Sequence, residues 1–197
     1  RYLAKGNYNI TRLGYLQTLF PGARFLIPVR NPVWHIASLM KQHALFCNAE
    51  RTDARVLRHM RRSGHFEFGL DRRPVNTGDN AAIEAVQSHW TEGREVEGWA
   101  LYWNMIYRYI ADLLEMRPEI RAATLVLRYE DMCAQPRETM ARILAHCGLP
   151  AEKLPDLAEA RLHEPGYYRP CFTPDELDRL RAATTATARR FGYGEVG

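Results

Sequence analysis

An arginine closes the apolar run Arg24-Phe25-Leu26-Ile27-Pro28-Val29-Arg30, an Asn31-Pro32 turn follows, and Ser38 stands eight residues beyond that arginine. A guanidinium and a hydroxyl so placed suit a phosphate: the planar guanidinium grips two oxygens at once and the hydroxyl donates to another. The order of apolar run, turn and amphipathic segment predicts strand, turn and helix, with Asn31 suited to the N-cap and Pro32 to the first helical position. A helix starting there adds an anion-favouring N-terminus beside the strand's C-terminal end. Taken alone, the same residues also describe a buried strand with a solvent-facing arginine.

Two further segments carry chemistry of the same kind. Lys5-Gly6-Asn7-Tyr8-Asn9 precedes a helical pattern over residues 12–20 that stops at Pro21-Gly22. Thr124-Leu125-Val126-Leu127-Arg128 is a second apolar run, ending in Tyr129-Glu130-Asp131; a helical pattern over 137–146 follows and closes at Cys147-Gly148-Leu149-Pro150. In order and spacing these three segments resemble the sulfotransferases that use 3′-phosphoadenosine 5′-phosphosulfate (PAPS). The resemblance covers residues 5–38 and 99–150, and the C-terminal helix more loosely.

That resemblance implies a P-loop-NTPase-like α/β fold with a central parallel sheet flanked by helices. It implies Arg30 and Ser38 at the 3′-phosphate of the donor, Tyr129 near its adenine, and Lys5 beside the transferred sulfuryl group as the catalytic cation. Arg169, in Gly166-Tyr167-Tyr168-Arg169-Pro170, is the nearest counterpart of the family's basic loop over the phosphate. PAPS is then the cosubstrate, no metal is required, and the acceptor is a hydroxyl or amine on a small molecule or glycan. Sulfuryl transfer, like phosphoryl transfer, relies on positioning and cationic stabilisation.

The chain also departs from the family. Gly6-Asn7 stands where many members carry Thr-His, and neutral Asn7 cannot serve as a base. No G-x-x-x-x-G-K-[ST] loop occurs. The expectation is therefore an N-terminally truncated domain that lacks its first strand and phosphosulfate loop. No Arg-Lys-Gly triplet occurs either, which points toward divergent, bacterial-like or carbohydrate-directed relatives. The base stays open among His43, Glu67, Asp79 and residues ahead of Arg1. Two other readings remain: a non-catalytic nucleotide- or anion-binding domain of the same fold, and a nucleotide-dependent kinase, which a magnesium requirement would mark.

Composition sets the bounds. The 197 residues suit a single domain, residues 1–197, with 44–98 as an inserted acceptor region of helices and loops. Hydrophobic content of 46% and charged content of 25% belong to the soluble globular class. No apolar run is long enough to span a membrane and no secretory leader opens the sequence. The four cysteines, Cys47, Cys133, Cys147 and Cys171, form no C-x-x-C pair, so a reducing, cytoplasmic setting without structural zinc is expected. The net charge of +4 fits a polyanionic ligand. The basic residues are not interleaved with aromatics as single-stranded nucleic acid binding requires, so no nucleic acid beyond the nucleotide donor is expected. Oligomeric state is not constrained.

The elements that must position these residues follow from periodicity and breakers. Helices are predicted over 12–20, 33–43, 53–62, 81–90, 99–116 and 137–146, and strands over 24–29 and 124–127. Residues 150–174 read as a proline-rich connector, and Thr173-Pro174-Asp175-Glu176 as a capping box opening a last helix that stops at Gly192. Arg51, Arg55, Arg58 and Arg62 recur at spacings of 4, 3 and 4, which on one helix gives a continuous basic face. Such a face is either solvated surface or a patch for an anionic acceptor; Arg55, Arg58 and His43 are the acceptor-binding candidates.

Overall fold

The computed structural model describes residues 2–164, 166 and 169–194. A 3₁₀ turn, Asn7–Arg12, leads into α1 (Leu13–Leu19), β1 (Phe25–Val29), α2 (Pro32–Thr52), α3 (Ala54–Ser63), α4 (Asn80–Thr91) and α5 (Glu95–Met116). Then come α6 (Pro118–Ala123), β2 (Thr124–Arg128), α7 (Tyr129–Ala134), α8 (Pro136–Cys147), α9 (Leu154–Arg161) and α10 (Pro174–Arg190). The protein is mixed α/β, mostly helical, with one two-stranded parallel sheet among the described residues. No helix among them is long and apolar enough to cross a membrane.

The chain divides into two compact units. The first comprises Arg1–Asn31 and Ile110–Arg169, the second Pro32–Tyr109 and Pro170–Gly197. In the first unit β1 pairs with β2 in the register Phe25↔Thr124 through Val29↔Arg128. Parallel strands need a long crossover, and residues 30–123 supply it. Ile27, Val29, Leu127, Ile120 and Leu144 bury the inner side of this unit. Along β1 burial alternates, so Leu26 and Pro28 stay exposed although the run is apolar throughout. Pro28 lacks an N–H and is tolerated because a two-stranded sheet has only edge strands.

The second unit is built around aromatics on one stripe of α5. Trp99 and Trp103 are almost fully buried, and Trp99 packs against Trp90, Phe68, Tyr102 and the ring of His43. The helical spacing of these residues in the sequence is the spacing of that stripe.

Several boundaries differ from expectation for identifiable reasons. Helix α2 runs on to Thr52 because residues 44–52 contain no breaker, and it ends only where Asp53 turns extended to cap α3. Arg51 therefore closes α2 while Arg55, Arg58 and Arg62 belong to α3, so the four arginines share no continuous helical face. Helix α5 stops at Met116 as expected, but Pro118 then occupies a first-turn position where its missing N–H costs nothing and opens α6, and Pro155 likewise sits in the first turn of α9, inside the stretch expected as connector. The capping box is present: Thr173 Oγ1 accepts the Glu176 N–H at 3.3 Å and the Glu176 carboxylate accepts the Thr173 N–H at 2.7 Å.

Candidate functional site

The parallel register brings the ends of two distant segments together. Val29 and Arg128 are the last paired residues, so Arg30 and Asn31 leave β1 beside the point where Tyr129 and Glu130 open α7. Ligands of parallel sheets gather at the carboxyl ends of the strands, for which these are the positions available.

Three contacts are made there. The Arg30 guanidinium lies over the Tyr129 ring, 4.5 Å from its centroid, a cation–π contact that orients the fork. The Asn31 N–H donates to Glu130 Oε1 at 2.8 Å. Arg128 pairs with Asp131 at 3.4 Å, turning the neighbouring guanidinium back onto α7. Burial pushes the Tyr129 phenol above its ordinary pKa; a hydrogen bond with the Cys133 side chain pushes the same way and the Arg30 charge opposes both. Tyr129 is thus neutral at physiological pH, an aromatic face beside a permanent cation.

The other residues expected at the donor are placed as follows. Lys5 is exposed ahead of the 3₁₀ turn, with no hydrogen bond or ion pair to another described residue. Arg169 is exposed, and residues 165, 167 and 168 around it lie outside the described residues. Ser38 is half-buried on α2, in the second unit. Arg30 and Tyr129 are thus the pair that the structure brings into contact. The sequence assigns Glu130 no role, yet a carboxylate just after a strand end is a natural acceptor for a loose amide.

The acceptor-side candidates do not form one cluster. His43 faces inward: its Nδ1 accepts the Gly69 N–H at 3.2 Å and its Nε2 lies 3.5 Å from Cys47 Sγ. Arg55 is exposed and its guanidinium pairs with Asp53, the residue that caps α3. Arg58 is exposed on α3. Asp79 caps α4 through the Ala82 N–H at 3.0 Å and pairs with Arg108 at 2.7 Å.

His43 belongs instead to a set of buried and half-buried polar groups that anchor the loop between α3 and α4. Glu50, 4% exposed, accepts the Leu70 N–H at 2.6 Å. Arg72 lies over the Trp90 ring at 4.0 Å and meets Glu95 in two hydrogen bonds of 2.7 and 2.8 Å. Burial works to raise the Glu95 pKa, but the Arg72 bonds outweigh it and hold the carboxyl below its usual range. Burial, seconded by the Arg72 charge, holds His43 below its ordinary value of 6.5. A histidine depressed in the folded state stabilises the fold fully above the unfolded-state pKa, and that contribution falls away as acidification protonates the unfolded chain first. Urea unfolding midpoints should therefore drop as pH falls from 7.5 through 6.5, and His43→Gln should flatten that part of the profile. A wild-type midpoint independent of pH across this window would contradict the assignment.

Comparison with known proteins gives no further support to any family: no protein-family model, no curated protein and no solved structure matches the chain.

Proposed function

We propose that the first unit binds the nucleotide of PAPS at the ends of β1 and β2, and that the protein is a PAPS-dependent sulfotransferase of P-loop-like fold. The observation that carries this reading is the contact between Arg30 and Tyr129. These residues come from two segments 99 positions apart, each tied to the same nucleotide by resemblance alone, and they meet as a cation over an aromatic ring. A guanidinium fork takes a phosphate and a neutral aromatic ring packs against a base, which is what a 3′-phosphorylated adenosine presents.

In this reading Arg30 grips the 3′-phosphate, Tyr129 lies along the adenine, and Arg169 approaches the phosphate from the segment ahead of α10. Lys5 supplies positive charge to the bridging oxygen as the sulfuryl group leaves, an interaction that matters in the transition state more than in binding. The acceptor is a hydroxyl or amine of a small molecule or glycan; its oxygen or nitrogen attacks the sulfur of PAPS as the S–O bond to the phosphate breaks, adenosine 3′,5′-bisphosphate leaves, and the acceptor's proton passes to a base or to water.

Two assays test the reading in sequence. Calorimetric titration with adenosine 3′,5′-bisphosphate should show saturable binding, and radiolabelled PAPS should then give labelled acceptor without added magnesium. Binding without transfer to any acceptor assigns a non-catalytic nucleotide domain; transfer of phosphate from ATP that depends on magnesium assigns a kinase. Absence of nucleotide binding overturns the proposal.

The exposed arginines of α3 bear on the acceptor. If it is anionic, Arg58→Glu with Arg62→Glu should raise the acceptor KM and remove its salt dependence, while nucleotide affinity stays unchanged. A KM indifferent to both salt and charge reversal makes α3 ordinary solvated surface.

A further inference from the structure

We propose that Glu130 is a positioning residue of the strand-end site: by accepting the Asn31 N–H it fixes Arg30 against Tyr129 and so sets the geometry that a nucleotide meets. This inference rests on the nucleotide reading above and extends it to a group that reading does not use. The ladder between β1 and β2 ends at Val29 and Arg128. Arg30 and Asn31 lie past that point on one chain, Tyr129 and Glu130 past it on the other. Beyond the ladder two contacts join the strand ends: guanidinium over ring at 4.5 Å, and amide to carboxylate at 2.8 Å.

The two contacts differ in stiffness. A cation over an aromatic face keeps much of its energy as it slides, whereas a charge-assisted hydrogen bond is short, directional and about twice as strong as a neutral one. The Glu130 bond therefore fixes the relative height of the two strand ends. Because Glu130 adjoins Tyr129 and Asn31 adjoins Arg30, whatever sets one pair sets the other. Glu130 also corrects an expectation. The Asn31 amide, which a strand–turn–helix junction would offer to an anion, is engaged by a carboxylate of the protein. The ligand's phosphate is accordingly held by the Arg30 side chain, and Glu130 disfavours a second anion at Asn31.

The test compares wild type, Glu130→Gln, Glu130→Asp and Glu130→Ala by calorimetric titration with adenosine 3′,5′-bisphosphate, with thermal unfolding of each. Glutamine keeps an acceptor at the right reach without the charge and should bind within about threefold of wild type. Aspartate keeps the charge but not the reach, and alanine keeps neither. Both should bind roughly tenfold or more weakly, the loss of one charge-assisted bond. A merely structural role would instead lower affinity only in step with melting temperature. Should the alanine variant not fold, the aspartate and glutamine arms decide the matter. Equal affinities across the folded variants, or tighter binding by Glu130→Gln or Glu130→Ala, overturn the positioning role while leaving the nucleotide reading intact. A wild type that binds no bisphosphate overturns the reading and this inference with it.

Discussion

Arg30→Ala should lower the affinity for adenosine 3′,5′-bisphosphate by about 1.5–3 kcal/mol, roughly tenfold to a hundredfold or more. The substitution removes the cation over Tyr129 at the end of β1, and with it both prongs of the fork that would hold the 3′-phosphate. Arg30→Lys gives the sharper comparison. It preserves the charge but loses the planar fork, so it should recover only part of the lost affinity. Tyr129→Phe should bind nearly as wild type, because the ring rather than the phenol faces the guanidinium, whereas Tyr129→Ala should weaken binding. Calorimetry on these four variants, each checked for an unchanged melting temperature, reads the result directly. Wild-type affinity in Arg30→Ala would show that the strand ends do not hold the phosphate.

The second large effect concerns stability. Gly69 adopts φ +88°, and a Cβ there would fall inside van der Waals contact of the Glu50 carboxylate. That carboxylate is buried and accepts the Leu70 N–H, so it cannot move aside without leaving both groups poorly satisfied. Gly69→Ala should cost about 1–2 kcal/mol for the left-handed backbone and roughly another 1–3 kcal/mol for the disturbed buried hydrogen bond. Gly64 provides the control: its φ is +73° at the end of α3, but nothing lies within 4 Å of the position a Cβ would take. Gly64→Ala should show the backbone cost alone, about 1–2 kcal/mol. The two variants, compared by urea unfolding, separate conformation from contact. Equal destabilisation would mean that the Glu50 carboxylate yields easily and the loop is not anchored through it.

How far the sequence could be read depended on the range of the interaction that decides each element. Local signals served well. The two apolar runs are strands, the Thr173 capping box opens α10, and the α5 aromatics at helical spacing form the core of their unit. Proline's second role went unread: α5 ends at Met116 ahead of Pro118 as expected, but Pro118 also opens α6, and Pro155 opens α9 within the stretch expected as a connector. The basic face failed on one residue, Asp53, whose carboxylate caps α3 and so places Arg51 on a different helix. Non-local contacts were out of reach. Nothing near His43 in sequence says that Gly69 will donate to it, or that Glu50 will take the Leu70 amide. The strand-end contact of Arg30 with Tyr129 and Glu130's reach to Asn31 were not legible either, because residues 30–123 separate the two strands.

Hydrogen exchange of the intact protein with and without saturating adenosine 3′,5′-bisphosphate locates the ligand as well as detecting it. Slowed exchange is expected mainly in peptides covering residues 29–31 at the end of β1 and 128–131 at the start of α7, with the α3 segment and the His43-anchored loop unchanged. Protection at those two strand ends, lost in Arg30→Ala, is the expected result. Binding that protects other segments while leaving both strand ends untouched, or no protection at saturating nucleotide, would contradict the placement of a nucleotide site at Arg30 and Tyr129.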